Sequence, residues 1–207
     1  LLMGSVSDSL KSEEFNNLSS YLERGGSLFL SQSRIKTNLQ VQQALPIQSN
    51  IFSLLNAYGL DLQSNLVTDQ ICGRVNVQQQ MGPIRMNVPI EYPLLPVIRN
   101  FNADESIVAG LEQMQLIFAS EIKQDSASMG TVNFQPLFYT SDNSGELRGN
   151  FNLNPDPQQN PFMRIFNKSK LILGARSEKK NSTGSVSQVI LVGDSEFISD
   201  VGGGRSP

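Results

Sequence analysis

Ser27-Leu28-Phe29-Leu30-Ser31 and Val189-Ile190-Leu191-Val192-Gly193-Asp194-Ser195 set the architecture expected of this 207-residue chain. Each is a short, nearly continuous apolar run, and the second is strongly β-branched. A strand buried on both faces, as in a parallel sheet, reads this way. Polar residues follow each run directly: Ser31-Gln32 after the first, Gly193-Asp194-Ser195 after the second.

Upstream of the first run, Ser12 suits a helix N-cap, with Glu13 and Glu14 on the positive end of the dipole. Phe15, Leu18 and Leu22 share one helical face, and Gly25-Gly26 supplies a C-terminal stop. Downstream, Ile51, Leu54, Leu55 and Tyr58 predict a second helix, capped by Ser49 or Asn50 and ended by Gly59. Gly193-Asp194-Ser195 reads as a third helix start. Alternating strands and helices at both ends predict an α/β fold: a mainly parallel sheet flanked by helices, its core built from residues 1–60 and 165–207.

Between these ends the pattern changes. Val75 and Val77, then Ile84, Met86 and Val88, alternate with polar residues around a Gly82-Pro83 turn signal, which predicts a β-hairpin. Pro93 and Pro96 exclude a helix around Leu94. Residues 115–122, 132–140, 169–176 and 189–192 read as strands, and 141–161 as a long exposed loop. The chain is therefore expected to form one domain over residues 1–207, with about 65–140 a β-rich insertion or extension.

Composition narrows the chemistry. Lys and Arg number 16 against 19 Asp and Glu, so no basic face is implied for nucleic acid or anionic lipid. The chain has no histidine, so a Ser-His-Asp triad, a Cys-His pair and a His-rich zinc site have nothing to build from. Cys72 is the lone cysteine, excluding an intrachain disulfide and a thiolate metal cluster; beside a hairpin, it reads as an unreactive thiol. Glu13-Glu14 and Asp104-Glu105 are sequence neighbours, which do not face each other, and both read as solvated surface. Asp142-Asn143 and Asn154/Asp156 match turn chemistry better than a calcium loop. Gly202-Gly203-Gly204 lacks the Lys-Ser/Thr of a phosphate loop. No run approaches the roughly 18 apolar residues of a membrane span. The chain opens on apolar Leu1-Leu2-Met3 and stops in loop-like residues, as a piece of a longer protein would.

The candidate binding residues are Ser31, Gln32, Asp194 and Ser195, with Ser5 at a comparable position. Open α/β sheets collect ligands outside the carboxyl ends of their strands. The plainer alternative is that Asp194 or Ser195 only caps the following helix.

Several pieces, in order, resemble one family. They are Ser12-Glu13-Glu14, Tyr21-Leu22-Glu23-Arg24-Gly25-Gly26, Leu55-Asn56-Ala57-Tyr58-Gly59-Leu60 and Asn65-Leu66-Val67-Thr68-Asp69. Phe118-Ala119-Ser120-Glu121-Ile122 and Val192-Gly193-Asp194-Ser195-Glu196-Phe197-Ile198 complete the set. Together they are similar to the gliding-motility-associated auxiliary proteins of ABC transport systems, the GldG-like family. The resemblance implies an extracytoplasmic, periplasmic domain, tethered to the inner membrane in the parent protein and working with an ABC permease and ATPase. It implies a flavodoxin-like or glutamine-amidotransferase-like fold, with no catalytic residues, metal or cofactor. A competing expectation is a carbohydrate-binding or carboxylate-based hydrolytic domain, although the absence of Trp leaves few stacking platforms.

Overall fold

The two apolar runs do pair. In a computed structural model, which describes residues 1–81, 84–181 and 184–198, they are adjacent parallel strands with Leu28 opposite Val189 and Leu30 opposite Leu191. In chain order the strands are β1 (Leu2–Met3), β2 (Ser27–Ser31), β3 (Ile35–Asn38), β4 (Gln43–Pro46), β5 (Leu60–Leu62), β6 (Leu66–Asp69) and β7 (Cys72–Met81). They continue as β8 (Ile84–Ile98), β9 (Asn100–Phe101), β10 (Met114–Gln115), β11 (Ile122–Gln124), β12 (Val132–Tyr139), β13 (Ser144–Leu147), β14 (Ile172–Lys180) and β15 (Val186–Val192). The helices are α1 (Ser12–Glu23) and α2 (Ile51–Ala57).

The main sheet runs β1-β2-β15-β14-β12-β9. Only β1-β2 and β2-β15 are parallel; β15-β14, β14-β12 and β12-β9 are antiparallel. The remaining sheets are small and antiparallel: β10-β8-β7, β11-β5, β13-β6 and β3-β4. This overturns the expected helix-flanked parallel α/β fold of flavodoxin-like or amidotransferase-like type. The chain is mostly β, with two α-helices among the described residues.

Two physical causes account for the difference. A parallel pair needs a crossover of a dozen or more residues. Between β14 and β15 there are only five, 181–185, closed by Asn181 N–H to Ser185 O (2.8 Å) and by Gly184 in the left-handed region (φ 84°). That connection forces a hairpin. Second, both helices lie on the same face of the sheet. Leu18, Leu22, Ile51 and Leu55 pack there with Leu28, Leu30, Ala175, Val189 and Leu191. The opposite face, carrying Leu173 and Val192, is covered by Val67, Ile98, Leu116 and Ala119 from strands and loops. A third core gathers Leu66, Tyr92, Leu94, Phe118, Leu147 and Leu153.

Local readings also shift. Ser12 is the first helical residue and Lys11 the cap, its N–H donating to Glu14 Oε2 at 2.9 Å. Residues 116–121 form no strand, β13 lies within the expected loop, and Ser195–Ile198 form turns. The Gly82-Pro83 turn and Gly202-Gly203-Gly204 lie outside the described residues. β9 and β12, from the segment read as an insertion, are members of the main sheet. Glu105 is not a solvated acid: it is buried and takes two bonds from Arg176 (Nη2 to Oε1 2.9 Å, Nε to Oε2 3.1 Å).

Candidate functional site

The parallel β2-β15 pair ends both strands at one edge, which brings the four candidate residues together. Gln32 N–H donates to Val192 O (2.9 Å), continuing the ladder one residue past β2. Gly193 comes next, and only glycine fits: a Cβ there would stand 2.2 Å from Ser120 O. The loop over residues 117–120 is thereby laid against the strand ends, with Ser120 N–H donating to Gly193 O at 2.7 Å.

Asp194 is buried, at 1% exposure. Its Oδ2 accepts from Ile117 N–H (2.8 Å), its Oδ1 from Glu196 N–H (2.8 Å) and its backbone oxygen from Ser31 Oγ (2.5 Å). Ser195 Oγ accepts from Ser33 N–H and lies 2.9 Å from Ser33 Oγ. Gln32 is fully buried; its Oε1 accepts from Val6 N–H and its Nε2 donates to Ser33 O, each at 2.6 Å. Ser120 Oγ accepts from Arg34 N–H (3.0 Å) and donates to Asn65 O (2.8 Å). These polar groups stitch the ends of β1, β2 and β15 to the loop. Beside them lies an open cleft of about 200 Å³ whose polar lining includes Ser5, Ser7, Ser33, Lys36, Ser195 and Glu196. Asp194 is not among its lining residues, so the cleft's acid is Glu196.

A second polar centre escaped the sequence reading. Asn65, fully buried between β5 and β6, donates from Nδ2 to both Glu121 Oε2 (3.3 Å) and Glu146 Oε2 (2.7 Å), while its Oδ1 accepts from Glu121 N–H (3.0 Å). Arg148 bonds Glu146 Oε2 at 2.8 Å and lies 3.8 Å from Glu121 Oε2. Lys123 and Lys168 complete the ring, at 3.6 Å from Glu121 and 3.7 Å from Glu146. The two acids titrate in opposite directions. Burial, reinforced by the Glu146 charge, pushes the Glu121 carboxyl up. Burial acts the same way on Glu146 but is outweighed by Arg148, Asn65 and Lys168, which hold it below the usual carboxylate range. The signal in the sequence was that Asn65 opens one of the family-like pieces and Glu121 lies in another. Their meeting depends on β5-β11 and β6-β13 pairing.

Other candidates sort themselves structurally. Asp69 is buried and holds Ser141, accepting from its N–H and Oγ at 2.6 Å each. Burial, and then the Glu91 charge, push the Cys72 thiol up, away from the reactive thiolate. Among the described residues no group of three or more Cys, Asp or Glu could hold a metal ion, and no helix is long and apolar enough to cross a membrane.

A mixed β-sheet covered by helices on one face, with strand-end polar groups engaged in holding the fold, defines a mostly β domain that is not of the flavodoxin type. The chain belongs to the family described as ABC-type uncharacterized transport system (ABC_transp_aux), whose model matches residues 1–205, and so to the auxiliary proteins of such systems. It is similar to an uncharacterized protein of Borreliella burgdorferi (strain ATCC 35210 / DSM 4680 / CIP 102532 / B31), 26% identical over 195 residues. The match covers 87% of this chain and 36% of that protein, so the chain spans about a third of its relative's length. Among solved structures it resembles the mmIFT52 N-terminal domain, with a TM-score of 0.54 at 12% identity, covering 96% of this chain and 67% of that one. That likeness concerns the fold alone.

Proposed function

We propose that the chain is a non-catalytic, extracytoplasmic domain that binds the permease or ATPase components of an ABC-type transport system, from a parent protein tethered to the inner membrane. The observation that carries this reading is the state of the strand-end residues. Ser31, Gln32 and Asp194 are buried; Ser31 and Gln32 bond the chain's own backbone, and Asp194 accepts from Ile117 N–H and Glu196 N–H, which suits a rigid scaffold better than a reaction centre. The family match over residues 1–205 supports the transport setting. The ordered pieces resembling gliding-motility-associated proteins support a place in that branch.

The test is co-purification of the full-length parent with its permease and ATPase from membranes, with protease protection of this domain in spheroplasts. Retention of both components, and cleavage from the periplasmic side, are the expected results. Loss of both components together with protection of the domain would overturn the reading.

One observation favours a second reading, a carboxylate-based hydrolase: Glu121 and Glu146 share Asn65, and their environments drive their carboxyls apart, as an acid and its partner require. Against it, Arg148 lies against both acids, and Lys123 and Lys168 flank them, which suits a clasp between strands. Glycoside and ester turnover lost in both Glu121→Gln and Glu146→Gln would favour the hydrolase.

A further inference from the structure

Among the described residues, the outer part of the β7-β8 hairpin pairs with no other strand. From Arg74↔Glu91 to Met81↔Ile84, the two strands are described as pairing only with each other; β10 joins β8 only at its base, at Val97 and Ile98. Opposed residues share a face. One face therefore carries Val75↔Ile90 and Val77↔Val88, with Met86 beside them; the other carries Arg74↔Glu91, Asn76↔Pro89 and Gln78↔Asn87. Val77, Met86, Val88 and Ile90 pack on none of the three cores, and Met86 is half exposed. An isolated two-stranded ribbon is marginal in water, and a third strand steadies it.

The two open edges are not equivalent. Pro89 has no N–H, so its pair with Asn76 sits at a non-hydrogen-bonded position, with the proline nitrogen toward the open edge of β8. That edge lacks a donor mid-strand and resists further pairing. The same geometry turns the backbone N–H and C=O of Asn76 and Gln78 outward from β7. Between residues 75 and 81, β7 has no proline and no charged residue, and its register is regular beyond Arg74. Natural edges are guarded by such devices; this one is bare.

We propose that the open edge of β7 pairs with β7 of a second copy of this chain, antiparallel about a two-fold axis at Val77, making a four-stranded sheet β8-β7-β7-β8. The edge is self-complementary in charge. In that register Asn76 lies opposite Gln78 of the other copy, and Val77 meets its counterpart at the close, non-hydrogen-bonded spacing. Arg74 lies opposite residue 80 and not its own copy, with Arg85 of the other copy one strand further on; the Arg74 charge is already met by Glu91 at 3.8 Å. The two apolar faces join side by side into one.

Sedimentation of the chain across a range of concentrations, with two variants, tests this. The parent is expected to show a concentration-dependent dimer. Asn76→Pro removes an outward donor without touching the internal ladder, and is expected to lose the dimer while keeping its circular dichroism and Tm. In a Cys72→Ser background, Val77→Cys is expected to cross-link to itself on mild oxidation, whereas Val88→Cys, on the outer strand and separated from its counterpart by both copies of β7, is not. A parent that stays monomeric, an Asn76→Pro variant that folds and still dimerises, or equal cross-linking at 77 and 88 would each overturn the proposal. If Asn76→Pro does not fold, the cross-linking pattern decides alone.

Discussion

The β2-β15 seam and the β7-β8 ribbon are built from the same kind of sequence, short runs of Val, Ile, Leu and amides, yet they hold opposite positions in the energetics. In the seam, Leu28, Leu30, Val189 and Leu191 are at most 1% exposed, and the strand ends are tied down by Asp194, Gln32 and Ser120. In the ribbon, Val77 and Val88 remain only half-buried, and among the described residues the outer edge of β7 has no partner strand. Removing matter should therefore be costly in the seam and nearly free in the ribbon, while association should show the reverse.

The largest effect is expected from Gly193→Ala. Its Cβ would strike Ser120 O, a backbone atom that cannot rotate away, so strand end or loop must move. A loss of about 3 kcal/mol or failure to fold is expected, read by urea denaturation. Leu191→Ala, emptying a fully buried position, is expected to cost about 3 kcal/mol, while Val88→Ala in the ribbon should cost less than about 0.5 kcal/mol. Equal losses at the two sites would erase the distinction between the regions.

Asp194→Ala strips the acceptor from Ile117 N–H and Glu196 N–H and should cost about 2 kcal/mol. If the seam is a scaffold, Asp194→Ala should leave partner binding of the folded fraction intact; lost binding at full stability would make Asp194 a contact residue.

The clasp at Asn65 gives the smallest and most specific signature. The Glu146 carboxyl is lowered in the fold, so its stabilisation is complete above the unfolded carboxylate pKa and fades as pH falls through the folded value. The Glu121 carboxyl is raised, so its contribution is complete below the unfolded pKa and fades as pH rises through the folded value. The slopes oppose each other. In denaturation from about pH 3 to about pH 8, Glu146→Gln should flatten the acid dependence of stability, and Glu121→Gln should steepen it. The same change of slope in both variants would contradict the opposed titration.

Much of this was legible in the residues. Apolar continuity marked β2 and β15, and their pairing put Ser31, Gln32, Asp194 and Ser195 at one edge. Helical spacing marked α1 and α2, and alternation marked the ribbon. Periodicity reports which side of an element is apolar, but not the direction of its neighbour. The five-residue link from β14 to β15 reversed the sheet, and one-sided helix packing replaced the expected two-sided cover. Likewise, Asn65, Glu121 and Glu146 are 56 and 25 residues apart along the chain, and no local pattern joins them. Two separate strand pairings bring them into one buried network, because the partners of a buried charge are chosen by tertiary contact, where desolvation makes the choice matter.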